Sequence, residues 1–154
     1  MAGIRDDRVL PLTRWSAAVL VLALLAGGIT LYGFPGSTAD LWAWTIAPHM
    51  TSLVMGAGYL ASAVFFARVA VGRQWHRFEA GLLGVMLFAV LLLVATLLHW
   101  DRFDHGHVVF WLWLALYVVA PVLVPVFWLR NRRTGPSELP GPRVSRSVLS
   151  LIHI

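Results

Sequence analysis

Four apolar runs, at positions 15–33, 48–71, 78–99 and 108–129, constrain this chain more than any other feature. At about 1.5 Å of rise per helical residue, a run of about 20 residues covers the roughly 30 Å hydrocarbon layer of a bilayer. Each run is long enough to cross as a helix, so the four runs are read as an all-α transmembrane bundle of four helices.

The composition agrees, with 59% hydrophobic residues in a chain of 154, room for one domain. The net charge of +5 does not point to nucleic acid, because the basic residues flank apolar runs instead of lining a soluble face. The absence of cysteine excludes disulfides, thiolate metal sites and thiol redox exchange. The first run is about as long as a membrane span and lacks a small-x-small cleavage site before Phe34-Pro35-Gly36. It is therefore expected to stay as a helix and not to act as a cleaved signal.

All 12 basic residues are arginine, and all but Arg102 fall in the arm 1–14, around the second connection, or after the fourth run. By the positive-inside rule this places both termini in the cytoplasm and the first and third connections outside a cell (plasma) membrane. The arm is expected to be mobile at the membrane surface. The tail 134–154, with Pro, Gly, Ser and Arg through 147, is expected to be disordered. Its last residues, 148–154, turn abruptly apolar, resemble translated adapter sequence, and are not expected to be native. No role is built on His153.

Within the runs, Gly27-Gly28 marks a close helix contact. Ser52, Gly56, Ala63 and Ala67, with Gly58 and Ser62 beside them, give the second span a small-residue surface. That surface places the second span at the bundle centre and makes it the expected face for self-association or for another membrane protein. Between the first two spans, Ser37-Thr38-Ala39-Asp40 resembles a helix start. Leu41, Trp42, Trp44 and Ile46 would give a short helix at 38–46 an apolar side, with the tryptophans in the headgroup zone. Pro121 and Pro125 predict a bend in the fourth span. Glu79 lies at a span end, within reach of loop arginines.

No Asp, Glu, Lys, Arg or His lies deep in any span, which argues against an ion-coupled transporter. Small multidrug exporters, built around an acid in their first helix, are excluded on the same ground. Tyr59 and Tyr117 are the central polar side chains. They reach similar depth and are expected to bond across the second and fourth spans.

The chemically able residues gather at one level outside. His49, His99 and His107 sit at the ends of three spans, and Asp40, Asp101, Asp104 and His105 sit in the connections. His49, His99, Asp101, Asp104, His105 and His107 form a candidate metal-ligand set for a divalent transition metal, since imidazole and carboxylate both serve such ions. Two of the histidines are alternative axial ligands for haem. The spacing matches no established ligand motif, and the plainer reading is a polar turn, with Asp104 favouring the positive end of the fourth helix. No catalytic residue is identified.

The stretch Leu41-Trp42-Ala43-Trp44-Thr45-Ile46-Ala47-Pro48, the Gly56-Ala57 helix and Leu98-His99-Trp100-Asp101-Arg102-Phe103 resemble a family of uncharacterised four-span bacterial integral membrane proteins. The resemblance covers most of 15–133 and implies the architecture, with no activity, cofactor or catalytic residue attached to it. The expected role is a non-enzymatic accessory or structural membrane protein whose partner is the lipid bilayer. A metal- or haem-handling protein and a passive channel or carrier are the alternatives.

Overall fold

The computed structural model describes residues 7–132, so the expectations for 1–6 and for the tail lie outside the described residues. Four long helices, α1 (Pro11–Gly33), α3 (His49–Val71), α4 (Glu79–Leu98) and α5 (Val108–Arg132), are joined by short connections, with one helical turn, α2 (Thr38–Leu41), in the first. All four are long and apolar enough to cross a membrane, and the chain is an all-α, multi-pass membrane protein. Their up-and-down order puts 34–48 and 99–107 at one end of the bundle, the cap end. Residues 7–10, 72–78 and the end of α5 lie at the other, arginine-bearing end.

The closest helix pair is α1 with α3. The reason is local: a Cβ added at Gly56 would sit 2.6 Å from the Tyr32 backbone nitrogen, and one at Gly28 would sit 2.7 Å from the Leu60 side chain. Missing side chains on both helices let the backbones approach. The buried Ser52 hydroxyl then reaches across to donate 2.8 Å to the Leu31 carbonyl. The small-residue face of the second span therefore packs inside the protein against α1. On its other side, Ala57, Gly58 and Ala61 stay exposed.

Helix α1 starts a turn earlier than its apolar run, at Pro11, where the missing N–H costs no bond. Asn131 explains the extension. It is fully buried at the end of α5, its Oδ1 accepts the Leu10 N–H at 2.9 Å, and its Nδ2 donates to the Thr13 hydroxyl at 2.7 Å. The same clasp accounts for α5 running past 129 to Arg132. Read from sequence, Asn131 is one more polar residue in a stop signal. In the fold it ties the first helix to the last.

The arm is docked at residues 7–10, contrary to the expected mobility. Asp7 accepts the Trp75 N–H at its carbonyl (2.9 Å), and its carboxylate meets both the His76 N–H and the His76 ring. Val9 donates to the Arg73 carbonyl at 3.3 Å, and Val9 and Trp75 are both buried. Arg14 donates from Nε to the Ala70 carbonyl at 2.7 Å, closing α1 onto the end of α3. Glu79 begins α4, where its charge suits the positive helix end. Helix α5 runs continuously through Pro121 and Pro125.

Two substitutions test this packing. Gly56→Leu should separate α1 from α3 and cost about 3 kcal/mol or more, because the obstacle is backbone that cannot turn aside. Asn131→Ala leaves a helix-start N–H and a buried hydroxyl without their partner, and should cost about 1–3 kcal/mol. Unfolding midpoints in mixed micelles titrated with a denaturing detergent measure both.

Candidate functional site

The cap end is built by the first and third connections leaning on one another. In the first, Thr38 stops α2 after one turn: its buried hydroxyl accepts the Ile46 N–H at 2.9 Å and drags the chain back towards the bundle. The expected interfacial helix at 38–46 therefore reduces to 38–41, and the segment after it turns inward. Trp42, Ala43 and Ile46 are buried, with Trp42 only 5% exposed. A loop that closes on its own hydroxyl can insert apolar side chains between helices, which a surface helix cannot.

Around this plug stands an aromatic box. Trp42 meets Tyr59 and Trp113 edge-on at 5.6 Å and 5.9 Å, and Trp44 meets Phe103 and Trp113 at 5.0 Å each. Edge-to-face contacts of this kind contribute about 0.5–1.5 kcal/mol each beyond the area they bury. The Trp113 indole N–H donates 3.1 Å to the Thr96 hydroxyl, which itself donates to the Leu92 carbonyl, so α5 is bolted to α4. The Tyr59 and Tyr117 hydroxyls lie 3.4 Å apart, the contact between α3 and α5 that the sequence led us to expect.

The candidate ligands lie at this end of the bundle, and three of them, His107, His99 and Asp104, have local structural duties. His107 is occupied at both ring nitrogens: Nδ1 accepts the Val109 N–H at 3.2 Å, so Nε2 carries the proton and donates it to the Asp40 carbonyl at 2.9 Å. His99 turns back on its own helix and donates from Nδ1 to the Ala95 carbonyl at 3.0 Å. Asp104 makes a tight turn, its Oδ1 accepting the Gly106 N–H at 2.9 Å just before α5, while its own N–H donates to Ala43 and joins the two connections. Asp101 is exposed on a 3-10 turn, Trp100–Arg102.

His105 and His49 stand apart from those. The His105 ring lies tilted against Trp100 at 4.9 Å and edge-on to Phe110 at 4.7 Å. Its Nε2 is buried without a hydrogen-bond partner, and its carbonyl accepts the Trp111 indole N–H at 3.0 Å. His49 is exposed at the start of α3, with its ring edge beside Gly36. The six candidates share an end of the bundle without sharing a centre. Among the described residues, no three His, Cys, Asp or Glu side chains come together in a way that could hold a metal ion.

Sequence reasoning missed Thr38, Thr96 and Asn131, three polar residues whose side chains set the loop, the α4–α5 contact and the α1–α5 contact. Thr38 was legible as a helix start. What it does afterwards depends on where Ile46 arrives.

No family model matches the chain, and neither a curated protein nor a solved structure does.

Asp104→Ala should lower stability by about 1 kcal/mol, as for loss of a helix-start acceptor, while Asp104→Asn should keep most of it. His107→Phe should speed amide exchange at Val109, whose acceptor is lost, and leave the centre of α4 unchanged. Exchange followed by mass spectrometry checks the second, and thermal unfolding the first.

Proposed function

We propose that the protein is a non-enzymatic accessory or structural component of a bacterial cell membrane, with both termini cytoplasmic and the histidine-bearing cap outside. The observation that carries this reading is the use of the cap's polar side chains. His107 is engaged at both ring nitrogens, and His99 and Asp104 each hold local backbone through one side-chain atom, so these side chains serve the turn itself. The orientation rests on arginine placement: Arg8, Arg14, Arg68, Arg73, Arg77 and Arg130 lie at one end, against Arg102 alone at the other among the described residues. A second copy, or another membrane protein, that meets α3 would find Ala57, Gly58 and Ala61, because the Gly56 side is already covered by α1.

Two measurements test this. Protein purified from cells grown with added iron, copper and zinc should show no haem absorption band and less than stoichiometric metal. A haem band or a full metal equivalent, lost in the His99→Ala/His107→Ala double variant, would replace this reading with a metal- or haem-handling one. The chain has no cysteine, so single cysteines report on sidedness without background. Asp101→Cys in intact cells should react with a membrane-impermeant maleimide, and Gln74→Cys should react only after the cells are opened. The reverse pattern would invert the topology.

A further inference from the structure

Helices α1 and α5, the first and last of the bundle, are joined at their ends and parted between them. At the arginine-bearing end the Asn131 amide holds the Thr13 hydroxyl at 2.7 Å. Towards the cap, Trp42 fills the space, packing on Trp113 of α5 and lying so near Gly27 of α1 that an added Cβ there would be 3.3 Å from its ring. Between these two fastenings lies a groove of about 780 Å³, walled by Ala23, Ala26 and Gly27 on one side and Ala115, Val119 and Ala120 on the other. Larger apolar side chains, Leu20 of α1 and Leu116, Leu123 and Phe127 of α5, complete the lining, so the groove is apolar along its length. Val19 and Leu112 also line it and are 67% and 65% exposed, so it opens sideways, towards the membrane.

Physical chemistry restricts what occupies such a space. Water does not, because an apolar cavity offers it no partners and stays dry. Vacuum does not, because the lining atoms would lose their dispersion contacts on one side. The side opening lies at membrane depth, and what reaches it there is hydrocarbon. The face of α5 that walls the groove continues one turn beyond Phe127 to Arg130, which is exposed. That end of the molecule also bears Arg8, Arg14, Arg68, Arg73 and Arg77, an excess of positive charge at the level where a lipid phosphate would lie.

We propose that the α1–α5 groove is a binding site for an anionic phospholipid, one acyl chain lying between the helices and the phosphate meeting Arg130. This goes beyond the accessory role and does not depend on it. An annular lipid exchanges freely. A chain set between two fastened helices is held on three sides, and the charge selects its headgroup.

The test uses the full chain in nanodiscs of phosphatidylcholine and phosphatidylglycerol with identical acyl chains, followed by release into the gas phase and native mass spectrometry. The wild-type protein should retain one lipid per chain, enriched in phosphatidylglycerol. Ala120→Trp, which fills the groove from α5, should abolish retention, and Ala26→Trp should do the same from the opposite wall, so that one misfolded variant does not decide the matter. Helical circular dichroism verifies folding of each. Arg130→Gln leaves the groove intact and should keep the lipid while lowering the phosphatidylglycerol preference about fivefold, the effect of one arginine near a charged surface. Folded wild-type protein without retained lipid, unchanged retention in both folded tryptophan variants, or a headgroup preference untouched by Arg130→Gln would each overturn the proposal. So would a wild-type dimer that the tryptophan variants dissociate, since the groove would then belong to a second copy.

Discussion

Lipid tails are as apolar as leucine, so nothing resembling the hydrophobic effect draws one helix to another inside a bilayer. Everything that orders this bundle follows from that constraint. Helices associate where backbones can come close or where a polar side chain finds a partner across the gap, and both devices recur here at specific places. Gly56 and Gly28 bring α1 onto α3, and Ser52 fastens the pair at the Leu31 carbonyl. Thr96 holds Trp113, Tyr59 meets Tyr117, and Asn131 holds Thr13. Each pairing joins two different helices, and together they link all four.

The same constraint explains why the cap is so aromatic. A connection that turns inward must satisfy its own backbone, and Thr38 does this for Ile46. Once the loop is closed, the space it enters is filled by rings packed edge to face, Trp113 donating its N–H to Thr96 while the Trp42 indole N–H is buried without a partner. The polar residues above the plug then have little freedom. His107 and Asp104 hold the two connections in register, one through the Asp40 carbonyl and the other through the Ala43 carbonyl. Their crowding at one level is a consequence of how two loops are stitched together.

Fastening a bundle at points, instead of along continuous seams, leaves room between the points. The α1–α5 interface shows this most clearly: its ends are held by a buried amide and by an indole, and its middle is an open groove with a largely apolar lining. In a soluble protein such a gap would collapse or fill with side chains, since interiors pack to the density of organic crystals. In a membrane the solvent itself can complete the packing, so a groove that opens to the bilayer need not collapse.

The sequence by itself determined the number of helices, their order and their approximate ends, because long apolar runs have one way to satisfy their backbones in hydrocarbon. It also carried the Tyr59–Tyr117 contact and the close packing at Gly27-Gly28 and Gly56, since small or polar residues inside an apolar run have few other uses. The tertiary structure decided which neighbour each of those residues meets. Nothing local says that the Gly56 face turns to α1, that Trp42 folds inward instead of resting among headgroups, or that residues 7–10 dock on 73–76. Asn131 shows the difference most sharply: by composition it belongs to a polar stop, and by position it is a buried clasp whose partners, Leu10 and Thr13, lie at the far end of the sequence. Periodicity and length are properties of a segment, and a segment carries them wherever it goes. A hydrogen bond between the first helix and the last exists only once the intervening chain has brought both to the same end of the bundle.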